Sequence, residues 1–393
     1  MNNAVSNKKT VCEVNKCVGC MACVERCPSN AIQILDSLNA YNAIIDEEKC
    51  IKCNLCYDVC QNNHDSFPIL PVSWYQGWAS SEKIRMKSSS GGIAAALSYA
   101  FIKNNGIVCS CIFSKGKFKF HFAETEEEVK KFTGSKYVKS NPYGIYEEIK
   151  RKLKDGRKIL FIGLPCQVQA IYLYVGTALV KNLYTIDLIC HGTPSPKLLQ
   201  DFLQQYSINI ENVNNILFRS KDKFSLKTHK HFIARQGTVD RYSLAFLCSL
   251  DYTENCYFCK YADIKRISDL TIGDSWGSEL SETEKKKGIS LILCQTKKGQ
   301  ELLNNSDIVL YEVDLKKAVE ANQQLRQPSQ KLEEQKHFFE VYKKTGFNQT
   351  VFSCLPYKCF CQKIKSILLK FGYVKGGGIS NYSVIISKKD RFI

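Results

Sequence analysis

One spacing occurs twice near the start of this chain. Cys17, Cys20, Cys23 and Cys27 follow C-x2-C-x2-C-x3-C, and Cys50, Cys53, Cys56 and Cys60 repeat it. The full chain carries 20 cysteines in 393 residues. A secreted mini-protein with that load would be read as disulfide-rich. Here the chain is long, and its opening residues, MNNAVSNKKT, lack the apolar core of a signal peptide. Regular, tight spacing in such a chain points to metal.

The spacing also chooses the metal. Three thiolates in C-x2-C-x2-C wrap three corners of a cubane within one loop, and the fourth cysteine starts a helix pointing the other way, toward a second cluster. Two such runs are the signature of a bacterial ferredoxin holding two 4Fe–4S clusters. The first cluster is assigned to Cys17, Cys20, Cys23 and Cys60, and the second to Cys50, Cys53, Cys56 and Cys27. Structural zinc, the competing reading, uses four ligands, usually as two separated pairs, and explains two complete runs less well. Pro28 follows Cys27 as the pattern expects, whereas Gln61 replaces proline after Cys60. Gly19 allows close backbone approach to the first cluster. Cys12 is left over and is expected to be an ordinary thiol. Residues 31–35 and 42–45 are β-prone and read as a hairpin between the runs.

The remaining sequence alternates β-branched runs with helical stretches, as an α/β domain does. Strands are expected at 106–113, 158–162, 183–189, 270–272 and 289–295, and helices at 93–104, 166–174 and 196–206. The expected fold is therefore an α+β ferredoxin-like domain (1–64), a linker (65–85) and a larger mixed α/β domain (86–347). A C-terminal appendix (348–393) would carry Cys354, Cys359, Cys361 and a glycine triplet, Gly376, Gly377 and Gly378. The longest nearly apolar run, 93–102, is too short to span a membrane. A soluble, cytoplasmic protein is expected. Net charge is +17, with lysines crowded between Lys115 and Lys158. That is either a solvated basic face or an attraction for an anionic partner, such as an acidic ferredoxin or a phosphorylated substrate. No zinc-finger, helix-turn-helix or RNA-recognition pattern supports nucleic acid.

Several strand-end loops carry further chemistry. Cys166 follows the 158–162 strand, Cys190 and His191 follow the 183–189 strand, and Cys256 and Cys259 form a C-x2-C loop. Strand ends on one side of a sheet converge, so these four thiols could form a third site; buried structural cysteines are the plainer alternative. Lys87, Ser88, Ser89, Ser90, Gly91 and Gly92 directly precede the 93–104 helix, an arrangement that suits a pyrophosphate or serves simply as a helix cap. It is neither G-x-G-x-x-G nor a P-loop. Asp274 lies in a Gly-Asp-x-Trp-Gly turn after the 270–272 strand.

As an ordered set, SSSGG, GLPCQVQA, DLICHGTPSP, CYFC and SDLTIGDSWG resemble the beta subunit of coenzyme F-420 (deazaflavin) hydrogenases and dehydrogenases. Residues 318–322, Leu325 and Pro328 are similar too, and the resemblance runs over roughly residues 10–345. It implies an FAD-binding α/β domain with its own 4Fe–4S cluster on Cys166, Cys190, Cys256 and Cys259, and FAD at the 88–92 loop. Asp274 and the 190–192 turn are the other expected flavin contacts, and His191 is a candidate proton donor. Related proteins include a plant chlorophyll-derivative reductase, and some bacterial members sit in surface-polysaccharide gene clusters.

Two functions follow. One is a flavin-dependent iron–sulfur oxidoreductase that reduces or oxidises an organic small molecule, with the flavin converting one-electron to two-electron chemistry. The alternative is an electron-transfer subunit with no substrate of its own, working with a ferredoxin or a hydrogenase or dehydrogenase subunit. A redox sensor or cluster-stabilised scaffold is the third and most distant reading.

Overall fold

The computed structural model describes residues 8–229 and 232–373. The glycine triplet lies outside them. Twelve strands are present among the described residues: β1 (Ile32–Asp36), β2 (Tyr41–Ile45), β3 (Ser73–Ala79), β4 (Ile107–Ser114), β5 (Lys117–Ala123), β6 (Ile159–Gly163), β7 (Leu183–Leu188), β8 (Ile216–Ser220), β9 (Lys223–Thr228), β10 (Leu270–Asp274), β11 (Ser290–Cys294) and β12 (Ile308–Tyr311).

β1 and β2 pair antiparallel as the hairpin between the two cysteine runs. Each run ends in a short helix, Ala22–Arg26 and Leu55–Asp58. The large sheet has eight strands in the order β12-β3-β11-β10-β7-β6-β4-β5. β4, β6, β7 and β10 are mutually parallel neighbours, while both flanks are antiparallel. Central strands such as ILFIG in β6 and SLILC in β11 are buried throughout. A strand covered on both faces reads as a continuous apolar run, and these do.

Alternate residues of β6 serve different cores. Ile159 and Phe161 face helices Tyr146–Lys154 and Pro165–Val175, while Leu160 and Ile162 face helix Ile93–Lys103. The first of these cores also takes in Ala22, Ala43, Ile45 and Val59 from the cysteine-rich N-terminal part. That part is therefore built into the larger body. Glu25 reinforces the join by accepting from the Gly144 and Glu147 amides, at 2.7 and 2.8 Å, where helix Tyr146–Lys154 begins. A carboxylate at that end is favoured by the helix dipole.

Two expectations change. Residues 65–85 are not simply a linker, because β3 is inserted between β12 and β11 and is followed by helix Glu82–Lys87. SWYQGWA contains a glycine, which weakens its strand signal. Gly77 is nevertheless needed there, since a Cβ would stand 2.1 Å from the Val309 carbonyl of β12. Residues 348–373 are likewise no peripheral appendix. Phe347 and Val351 are fully buried in a second core with Phe202, Phe218, Tyr242 and Phe338. Cys354 and Cys359 belong to that core as small apolar side chains.

Asp251 is fully buried near this core, and neither carboxyl oxygen finds a partner beyond the residue's own amide. Burial pushes its pKa up to about 8. The folded chain thus holds a proton that the unfolded chain releases near the ordinary aspartate value of about 4. This contribution to stability is complete below that value and is lost as pH rises toward 8. Asp251→Asn is expected to flatten the decline, read as urea midpoints of both proteins at pH 5 and pH 8.

Candidate metal centres

The sequence-assigned thiols gather in three groups. In the first, one cavity is lined by Cys17, Cys20, Cys23 and Cys60, the last arriving from the second run as the crossed assignment requires. Gly19 carries a φ of 71°, and its amide donates to Cys17 Sγ at 3.4 Å. A Cβ at Gly19 would stand 2.6 Å from the Tyr41 ring, so packing on Tyr41 also demands glycine. In the second group, Cys56 feels the charges of Cys27 and Cys50, again crossed. Ala31 N–H donates to Cys27 Sγ at 3.3 Å. Cys53 is exposed at this rim. Cys23 and Cys56 interact electrostatically, which makes the two groups neighbours.

The third group forms where parallel strands end. Cys166 follows β6 at the start of helix Pro165–Val175, and Cys190 follows β7. Cys256 and Cys259 come from the turn Glu254–Phe258 and its cap. Cys166 is pushed up in pKa by burial and then by Cys259, Cys190 and Cys256, so all four thiols share one electrostatic neighbourhood. Thr193, Thr253 and Asn255 place polar groups 3.6–3.7 Å from Cys256 Sγ. Such donors favour a charged sulfur. Gly192 makes the approach possible, since a Cβ there would stand 2.3 Å from the Tyr252 ring. Ser329, the residue after Pro328, donates from Oγ to the His191 carbonyl at 2.6 Å, and so ties the end of that resemblance-bearing stretch to this loop.

Polar side chains join the first and third groups. Tyr261 donates to Gln61 Oε1, and Lys260 Nζ donates to the Gln61 carbonyl at 2.6 Å. Tyr146 donates to the Cys20 carbonyl at 2.5 Å and also feels Cys166. The buried Lys139 donates to the Val18 carbonyl at 3.1 Å, and its charge acts on both Cys166 and Cys190. Lysine-rich composition alone did not separate Lys139 from its solvated neighbours.

Cys12 departs from expectation. It is buried, lines the first cavity with the four assigned thiols, and lies within hydrogen-bonding reach of Cys17 and Cys60.

These groups suit cubanes by donor chemistry, since each is composed of cysteine sulfur with nearby backbone or side-chain donors. Among the described residues no three His, Cys, Asp or Glu side chains close in tightly enough for a single ion. The thiols of a cubane bind separate irons and stand wider apart.

The 88–92 loop lies beside the third group's strand ends. Arg219, at the end of β8, makes two 2.7 Å bonds to the Asp274 carboxylate, donates to the Ser89 carbonyl at 2.7 Å and reaches Tyr137 OH at 3.2 Å. Lys221 Nζ donates to the Ser90 carbonyl at 2.9 Å. His191 is exposed beside this loop, and desolvation by the surrounding protein shifts its imidazole pKa downward. Part of the loop is already engaged within the fold. Ser88 Oγ donates to Ile84, Ser90 Oγ to Ile289, and the Gly91 amide to Ser290 Oγ. Lys87 is exposed on the preceding helix. Arg219 and Lys221 supply positive charge here, and the buried Arg219 Nε lacks a partner among the described residues.

Comparisons with known proteins show what the chain is similar to. The model of the N-terminal part of the coenzyme F420 hydrogenase/dehydrogenase beta subunit covers residues 74–143, and that of its C-terminal part covers 156–317. The chain belongs to this beta-subunit family. A 4Fe-4S dicluster domain matches residues 16–64 of the same family member. No curated protein matches it. A solved chain from the F420-reducing [NiFe] hydrogenase complex of Methanosarcina barkeri is 21% identical, with a TM-score of 0.45, and the match covers 71% of this chain and 95% of that one. Among the described residues no helix is long and apolar enough to cross a membrane.

Proposed function

We propose that this beta-subunit family member is an iron–sulfur electron-transfer subunit that works with a hydrogenase- or dehydrogenase-type partner or a soluble carrier. The observation that carries the reading is the order of the thiol groups. The second group has its edge at the surface, the first neighbours it through Cys23 and Cys56, and the third neighbours the first through Gln61, Tyr261 and Tyr146. Bound clusters would supply one-electron transfer. The protein residues fix the spacing, bury the first group and place Lys139 against the third. Reduction by a one-electron ferredoxin donor, followed by stopped-flow absorbance, tests the order. Cys53→Ala, which impairs the outer group, is expected to slow reduction of the remaining iron–sulfur chromophores. Unchanged rates would place electron entry elsewhere.

Lys139 offers a second check. A buried cation favours the more negative, reduced state of a nearby cluster. Lys139→Met is expected to lower the reduction potential of the inner clusters by on the order of tens of millivolts, read by EPR-monitored titration.

A second reading, an FAD-dependent reductase with its own organic substrate, is favoured by one observation. Arg219, Lys221, Asp274 and His191 gather beside the 88–92 loop at the carboxyl ends of parallel strands, where α/β sheets bind ligands. Released flavin per chain after anaerobic purification decides it. About one per chain favours the reductase, and none leaves the electron-transfer subunit. A role in surface-polysaccharide synthesis would then be a question of substrate.

A further inference from the structure

The first cavity holds more thiols than a cubane uses. Four cysteines complete the ligation, and Cys12 is the fifth lining the same space. Its position is built. Thr10 bridges antiparallel to Ile44, and the Val11 amide donates to the Ala43 carbonyl at 3.0 Å, which lays this segment along β2. Asn63 Nδ2 donates to the Val11 carbonyl at 2.9 Å from the other side. Asn62 Nδ2 spans the loop between Cys12 and Cys17, at 3.5 Å from Cys12 Sγ and 2.7 Å from the Lys16 carbonyl. Asn62 and Asn63, the two residues after Gln61, thus hold the Cys12 segment beside Lys16, next to Cys17.

We propose that Cys12 is an alternative ligand of the first cluster, able to replace Cys17 on its iron. In the exchange the Fe–S bond to Cys17 breaks and one to Cys12 forms. The proton of the Cys12 thiol passes to the released Cys17 sulfur, and no electrons are gained or lost. Because both sulfurs border one cavity and one asparagine bridges their segment, the exchange needs side-chain rotation and no change of fold.

The inference rests on the reading that this cavity holds a 4Fe–4S cluster, and wild-type protein tests that separately. Anaerobically purified wild type with fewer than about eight irons per chain would remove the premise. With the premise met, Cys17→Ala is expected to keep the wild-type iron and sulfide content and a first-cluster EPR signal with altered g values. Cys12→Ala alone is expected to keep the wild-type signal. The double variant is expected to lose about four irons per chain. If Cys17→Ala is insoluble, native mass spectrometry of Cys17→Ser, with Cys12→Ala/Cys17→Ser as its counterpart, reads the same contrast. The proposal is overturned if the single Cys17 variant loses the first cluster as completely as the double, or if the double keeps it.

Discussion

Protein carrying Cys190→Ala is expected to contain about eight irons per chain where the wild type contains about twelve. The expectation follows from the ends of β6 and β7. Parallel neighbours deliver Cys166 and Cys190 to the same side of the sheet, and the Thr253–Cys259 turn supplies the other two thiols. Removing Cys190 leaves three thiols, too few to ligate all four irons of a cubane. Cys256→Ala should behave alike. Cys354→Ala is the control: that thiol packs in the second core and donates to the Glu334 carbonyl at 3.6 Å, so iron content should not move. Iron and sulfide analysis reads all three. A wild type with about eight irons, unchanged in Cys190→Ala, would show that the third group is structural.

Asp274→Ala is expected to destabilise the protein by about 3 kcal/mol, because it strands the Arg219 guanidinium in the interior. Arg219 has 4% of its side chain exposed, and among the described residues its two bonds to Asp274 are its only ones to a carboxylate. Asp274→Asn keeps one acceptor and should lose less. Thermal unfolding of the metal-loaded proteins compares them. Loss of stability shared equally by both variants would mean that carboxylate charge, rather than an unpaired guanidinium, sets the cost. Because Arg219 also holds the Ser89 carbonyl, the alanine variant should in addition loosen the 88–92 loop, visible as faster amide exchange there.

Much of this was written in local signals. The two cysteine runs suggest a crossed thiol grouping through spacing alone, and in the fold Cys60 lines the cavity of Cys17, Cys20 and Cys23. The apolar runs of β6, β7 and β11 mark central strands because both faces are covered. What the sequence hid depends on distant partners. β3 pairs with β11 and β12, more than two hundred residues away, and its glycine argues locally against a strand. Lys139 and Cys12 look like any lysine and any thiol until Val18, Tyr41 and Asn62 surround them. The serine-glycine loop misled in part for a similar reason. Its composition suggests free donors, but Ser290 and Ile289 of a remote segment already take several. Arg219 had no sequence signal at all, since its partners Ser89 and Asp274 lie far off along the chain.

The shared core beneath the N-terminal hairpin has a kinetic meaning. A carrier on a flexible tether searches for its acceptor, and the length of the tether sets its effective concentration. Here Ala22, Ala43 and Val59 are packed with Phe161 and Ile171, so there is no search to make. Arrival is replaced by a fixed separation. On the proposed electron-transfer reading, the internal pace is governed by distance and by the potentials on either side, and the outermost hand-over depends on how often another molecule collides with the rim around Cys53.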